Sequence, residues 1–138
     1  MESRVALADE RHVRGYNCAQ AVACTYADLV GVSEEEAFRS NEGFGLGMGG
    51  MEGTCGALTG ACYLVGLATS DGNLQHPGTK RASYALSREI VRRFGERNGA
   101  TRCRELKGIG SDAGPLRACP GCIEDACRIL EDVLFADA

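Results

Sequence analysis

The chain has 138 residues, of which 44% are hydrophobic and 25% charged, and a formal net charge of -4. That length favours one domain spanning 1–138, and the composition is that of a globular chain rather than a disordered one. The acidic balance, the absence of a dense basic stretch and the scarcity of aromatic residues exclude a nucleic-acid surface built on charge and base stacking.

The N-terminal stretch, Met-Glu-Ser-Arg-Val-Ala-Leu-Ala-Asp-Glu-Arg, is charged and periodic and lacks the apolar core and cleavage site of a signal peptide. From about Val5 to Val30, Ala8, Tyr16, Ala19, Val22, Ala23, Tyr26, Leu29 and Val30 recur at helical spacing, which predicts one helix stopped by Gly31. Ser33 followed by Glu36 is a capping-box signature for a short helix fading near Asn41. Residues 43–53 read as an extended glycine loop. A third helix is expected from about Thr54 to Thr69; it falls within the longest uncharged run, Gly53 to Ser70, which is too polar for a membrane span and suits a buried central helix.

His76-Pro77 places proline in a first helical turn, opening a fourth helix to about Asn98. Its core face would hold Tyr84, Ile90, Val91 and Phe94, with Arg81, Arg88, Arg92, Arg93 and Arg97 on a solvated face. Thr101 can cap a short helix through Lys107. A last helix begins at Cys119-Pro120, with Ile123, Ala126, Leu130, Val133 and Leu134 inward. No segment alternates as a strand does, so the fold expected is an all-α bundle of about five to six helices with a glycine-rich loop.

Eight cysteines stand in a chain with no export signal, so a cytoplasmic protein with reduced thiols is expected rather than a disulfide framework. Three of them, Cys55, Cys103 and Cys119, fall at predicted helix starts. Free N–H groups and the positive end of the helix dipole favour thiolate there, and such placement lowers a cysteine pKa from about 8.5 into the range of about 3.5–7.5. Cys119-Pro120-Gly121-Cys122 is a Cys-x-x-Cys, a spacing that serves thiol–disulfide exchange or metal binding. A thioredoxin fold would need a strand before it, and none is visible.

Cys18, inside the first predicted helix, reads on its own as a small core residue, as do Cys24, Cys62 and Cys127. The Gly45, Gly47, Gly50 pattern matches Gly-x-Gly-x-x-Gly, but no strand precedes it and no Gly-Lys-Ser/Thr follows, so a tight backbone path toward Cys55 is the better reading. His12 and His76 are isolated and read as surface residues. The small residues Gly56, Ala57, Gly60 and Ala61 would permit close helix contact within the chain or in a homodimer.

The run Asn17-Cys18-Ala19-Gln20, then Gly50 to Gly53 leading into Cys55-Gly56-Ala57-Leu58-Thr59-Gly60, then Cys103-Arg104-Glu105-Leu106, then Cys119-Pro120, resembles the C_GCAxxG_C_C family of redox-active proteins from about Gly15 to Leu134. The resemblance carries Cys18, Cys55, Cys103 and Cys119 over as signature cysteines and so raises Cys18 above packing. It implies redox activity. Some members are selenoproteins, and a similar domain in split-Soret cytochromes is associated with an iron–sulfur centre. Cys24, Cys62, Cys122 and Cys127 are additions to that pattern.

Two function classes follow. In the first, Cys18, Cys55, Cys103 and Cys119 converge at one end of the bundle, and the Cys119–Cys122 pair at the start of the last helix suits thiol exchange. They serve thiol–disulfide exchange, as in a thiol-dependent oxidoreductase, or electron transfer through a [2Fe–2S] cluster held by the first four, with an unidentified redox partner. In the second, the same cysteines close around zinc in a non-catalytic structural module.

Overall fold

A computed structural model describes residues 1–138. Seven helices and no strand make an all-α single-domain fold, one helix more than expected. They are α1 (Val5–Val13), α2 (Cys18–Tyr26), α3 (Glu34–Asn41), α4 (Gly56–Thr69), α5 (Lys80–Asn98), α6 (Cys103–Lys107) and α7 (Cys119–Val133).

The extra helix comes from a break in the first. Gly15 adopts φ 113°, a left-handed value that ends α1. Asn17 then starts α2: its side chain accepts from the Gln20 backbone N–H at 2.8 Å, while the Gln20 side chain accepts from the Asn17 N–H at 3.0 Å. This reciprocal capping box satisfies two otherwise orphaned donors. It moves Cys18 from a helix interior to the first turn of a helix.

Other boundaries follow the sequence more closely. Ser33 caps α3 by accepting from the Glu36 N–H at 3.0 Å. Gly31 ends the preceding turn at φ 78°. Cys55 is itself the N-cap of α4, and Ala118 that of α7, with Cys119 the first helical residue and Pro120 the second. The cap of α6 is Arg102 rather than Thr101, because the Thr101 carbonyl is spent on the Cys55 N–H at 2.8 Å. Pro77 does not open α5, which begins at Lys80. Tyr84 is exposed rather than in the core, since no residue of α5 before Ile90 is buried.

Helix α4 lies at the centre, packed on α2, α5 and α7, while α1 packs against α7 and α2. The core is Val22 and Tyr26 of α2, Leu58, Leu64 and Val65 of α4, Ile90 and Phe94 of α5, and Ile123 and Leu130 of α7. Tyr26 stacks on Phe135 at 5.3 Å and donates its hydroxyl to Glu131 at 2.6 Å, which pins the end of α7 to α2. Small residues bring α2 and α4 close: a Cβ on Gly60 would meet the Ala19 carbonyl oxygen at 2.6 Å, and one on Gly56 the Cys18 Cβ at 3.3 Å. The central helix is thus buried as expected, and no helix is long and apolar enough to cross a membrane.

Candidate thiol site

Four helices begin at one cavity, each with a cysteine at its cap or first residue. The cavity has a volume of about 180 Å³ and is lined by Cys18 of α2, Cys55 of α4, Cys103 of α6, and Cys119 and Cys122 of α7. Backbone pairing explains part of the convergence. Segments 51–55 and 101–104 zip together: Cys55 N–H donates to the Thr101 carbonyl at 2.8 Å, Cys103 N–H to Gly53 at 3.0 Å, and Arg104 N–H to Met51 at 2.9 Å. The Thr54–Arg102 pair forms an antiparallel bridge, so the starts of α4 and α6 are held side by side.

The glycine loop closes the cavity's edge. It contains no regular helix: Leu46 and Gly47 adopt left-handed values of φ 54° and 56°. Gly47 needs its missing side chain as well as its backbone freedom, because a Cβ there would lie 2.7 Å from the Cys103 Cβ. The turn delivers Leu46 to the cavity wall, and the Gly53 N–H returns to the Gly47 carbonyl at 3.1 Å. The loop is therefore a tight backbone path beside the cysteines, as its sequence suggests.

The five thiols are unlike one another. Cys18 and Cys119 are half-buried; Cys55, Cys103 and Cys122 are buried. Cys18 stands beside Cys119, and its thiol, reinforced by the Lys107 ammonium, holds the Cys119 thiol down at about 5. The Lys107 Nζ donates to Cys119 Sγ at 3.3 Å. Cys119, with burial, drives the Cys18 thiol strongly upward. The neighbouring Cys122 thiol lowers Cys55, and the backbone N–H groups of Ala57 and Leu58 at the start of α4 lower it further. The Cys122 thiol is raised in turn by Cys55 and by burial. Burial raises Cys103, against the pull of Lys107.

The site thus sets Cys119 beside Cys18 and Cys55 beside Cys122, with Cys103 on the same cavity. The two members of the Cys-x-x-Cys are each engaged with a cysteine from another helix. All eight cysteines are free thiols. Of those read as packing residues, Cys24 and Cys127 are buried, and burial raises them to about 11 and about 12. Cys62 is half-buried and does not line the cavity.

Three contributors are not evident from the sequence. His12, which reads as an isolated surface residue, sits in the last turn of α1 and lines the cavity. Lys107 ends a helix of only five residues. Arg117 lines the cavity and forms an ion pair with buried Asp125, Nε to Oδ2 at 3.3 Å, which Arg97 joins at 3.2 Å. Its carbonyl accepts the Cys122 S–H at 3.8 Å. Charge near Cys119 and the anchoring of the loop before α7 both come from these residues.

The cavity's chemistry is tested next against metals. No three Cys, His, Asp or Glu side chains are grouped to hold one metal ion, and a tetrahedral zinc site needs four such donors around a single point. A [2Fe–2S] cluster takes four thiolates shared between two irons, and Cys18, Cys55, Cys103 and Cys119 border one cavity.

The chain is of the class of all-α bundles whose helix starts gather cysteines around one cavity. The chain belongs to the C_GCAxxG_C_C family, described as "Putative redox-active protein", whose model matches residues 16–133. No curated protein and no solved structure matches the chain.

Proposed function

We propose that the protein is a thiol–disulfide oxidoreductase in which Cys119 is the attacking thiolate and Cys18 the resolving thiol. The observation that carries this reading is the setting of Cys119: a half-buried sulfur at the start of α7 accepts from the Lys107 ammonium at 3.3 Å, and half-buried Cys18 from a different helix borders the same cavity. Nucleophilic attack needs thiolate that is accessible, and resolution needs a second thiol within reach.

Cys119 attacks one sulfur of a substrate disulfide; the S–S bond breaks and the first substrate thiolate leaves, taking a proton from solvent. Cys18 then attacks the Cys119 sulfur, its proton passing to the second substrate thiolate. The substrate gains two electrons and becomes two thiols, and the protein holds a Cys18–Cys119 disulfide. Run backwards, the same steps oxidise a dithiol. Lys107 keeps Cys119 ionised while it is free and stabilises it again as the leaving thiolate when the disulfide is opened. Such a cycle suits a reducing compartment, as the cytosol is.

A second reading has one observation in its favour: several cysteines border a single cavity. Cys18, Cys55, Cys103 and Cys119 would hold a [2Fe–2S] cluster there, and the bound cluster would supply one-electron transfer. Anaerobic purification separates the two readings. Thiol exchange gives a colourless protein whose free-thiol count falls by two on mild oxidation, with Cys18 and Cys119 joined in a peptide map. Stoichiometric iron and acid-labile sulfide, or a first disulfide between other cysteines, would overturn it.

A further inference from the structure

We infer that Cys55 and Cys122 form a second, internal dithiol loaded only through Cys119, so that the protein stores two disulfide equivalents instead of one. The inference rests on the exchange reading above and assigns a role to Cys122, the cysteine that the four-part family pattern does not require.

Accessibility separates the two pairs. Cys18 and Cys119 are half-buried, whereas Cys55 is 5% and Cys122 2% exposed. A substrate disulfide must bring its own sulfur into line with the attacking one, and the inner pair offers no surface for that. Its route outward is along α7. Cys119 and Cys122 are three residues apart on one helix and therefore neighbours on its surface, at the spacing that supports exchange in Cys-x-x-Cys sequences. Both, together with Cys18 and Cys55, border the same cavity. The Arg117 carbonyl, which accepts the Cys122 S–H at 3.8 Å, orients that thiol, and Asp125 fixes the Arg117 side chain.

The transfer is internally balanced. Starting from the Cys18–Cys119 disulfide, the Cys122 sulfur gives up its proton and attacks Cys119; the Cys18–Cys119 bond breaks and Cys18 takes that proton. The Cys55 thiolate next attacks Cys122; the Cys119–Cys122 bond breaks and Cys119 leaves as thiolate. One S–S bond has been exchanged for another, no electrons have left the chain, and the proton lost by Cys122 now sits on Cys18. The outer pair is reduced again and takes a second substrate disulfide, so four electrons pass to two substrate molecules in all.

The test uses the whole chain, purified without metal, oxidised by a bulky model disulfide and quenched at intervals by alkylation, with disulfides located by peptide mapping. Free thiols should fall from eight to four in two phases. Cys18–Cys119 should appear first and Cys55–Cys122 after a lag. Cys119→Ser should slow formation of Cys55–Cys122 at least tenfold, and Cys62→Ser, away from the cavity, should leave both disulfides forming as before. Cys119→Ala, judged folded by circular dichroism, repeats the block without a hydroxyl at the site, and the lag in the unsubstituted chain reads the same order without any variant. Formation of Cys55–Cys122 at an unchanged rate in Cys119→Ser, or its appearance without a lag, would refute the relay. Loss of two thiols only, as Cys18–Cys119, would also refute it while leaving the exchange reading intact. Failure to form either disulfide would remove both.

Discussion

Replacing Lys107 by Met isolates the electrostatic part of the site. The ammonium lies 3.3 Å from the Cys119 sulfur, and this contact also raises the lysine's own pKa. A hydrogen bond to a charged group contributes about 1.5–3 kcal/mol, and 1.36 kcal/mol corresponds to about one pKa unit. Loss of the ammonium should therefore move the Cys119 midpoint upward from about 5 by about 1–2 units. The remaining depression comes from Cys18, its largest cause, which the substitution leaves in place. At pH 5.5 a midpoint near 5 leaves about three-quarters of the sulfur ionised, and one near 6.5 leaves about a tenth. The alkylation rate of Cys119 by iodoacetamide, followed by peptide mass spectrometry across pH 4–9, should thus fall about eightfold at pH 5.5 and by less than about half at pH 7. An unchanged midpoint in Lys107→Met would refute the role given to Lys107, and a midpoint near 8.5 in the unsubstituted chain would refute the thiolate assignment as a whole.

Stability predictions follow from the packing and the caps. Asn17→Ala removes the capping box of α2 and should cost about 1 kcal/mol, or roughly 4 °C in thermal unfolding, with Asn17→Ser recovering most of it. Gly60→Ala drives a methyl against the Ala19 backbone and should cost about 1–3 kcal/mol by the same assay, because backbone cannot rotate aside as a flexible side chain can. The melting temperature should fall as pH rises above about 9, since Cys18, Cys122 and Cys127 are raised in the folded state. Above that pH the unfolded chain has already lost those protons, and the folded one must lose them at a cost. The lowered Cys119 acts in the opposite sense: its contribution is complete above about 9 and fades as pH falls toward about 5, so replacing it by Ser should flatten the acidic limb of a melting-temperature profile.

The sequence made the class of fold legible because periodicity alone decides it: α3, α4, α6 and α7 lie within a few residues of their predicted bounds. The first helix was misread for a specific reason. Apolar residues keep helical spacing from Ala8 through Val30, and Ala19, Val22 and Tyr26 are buried as the pattern asks. Periodicity cannot register a change of direction between two helices that both face the core. The break had its own signal in Gly15 and the Asn17-Cys18-Ala19-Gln20 run, a cap three residues before a side-chain acceptor. Read that way, Cys18 joins Cys55, Cys103 and Cys119 as a cysteine at a helix start, which its local context otherwise conceals. The resemblance to the family supplied by motif what the cap supplies by physics.

Partner choice among the sulfurs was not legible, and the reason lies in the scale of the interactions involved. A Cys-x-x-Cys in a linear sequence invites the pairing of its own two members. On α7 the two sulfurs instead meet different neighbours, Cys119 meeting Cys18 and Cys122 meeting Cys55. Those meetings depend on contacts remote from the motif: Gly56 and Gly60 admitting α2 against α4, and the bridge between Thr54 and Arg102 aligning α4 with α6. Asp125, on α7 itself, adds to them by securing Arg117 beside Cys122. Each is a single close approach between segments far apart in the chain, invisible to any window of sequence. The helix starts can be read one at a time and tell which cysteines are suited to ionise. The tertiary contacts decide which thiol stands next to each of them, and hence which bond forms first when the site is oxidised.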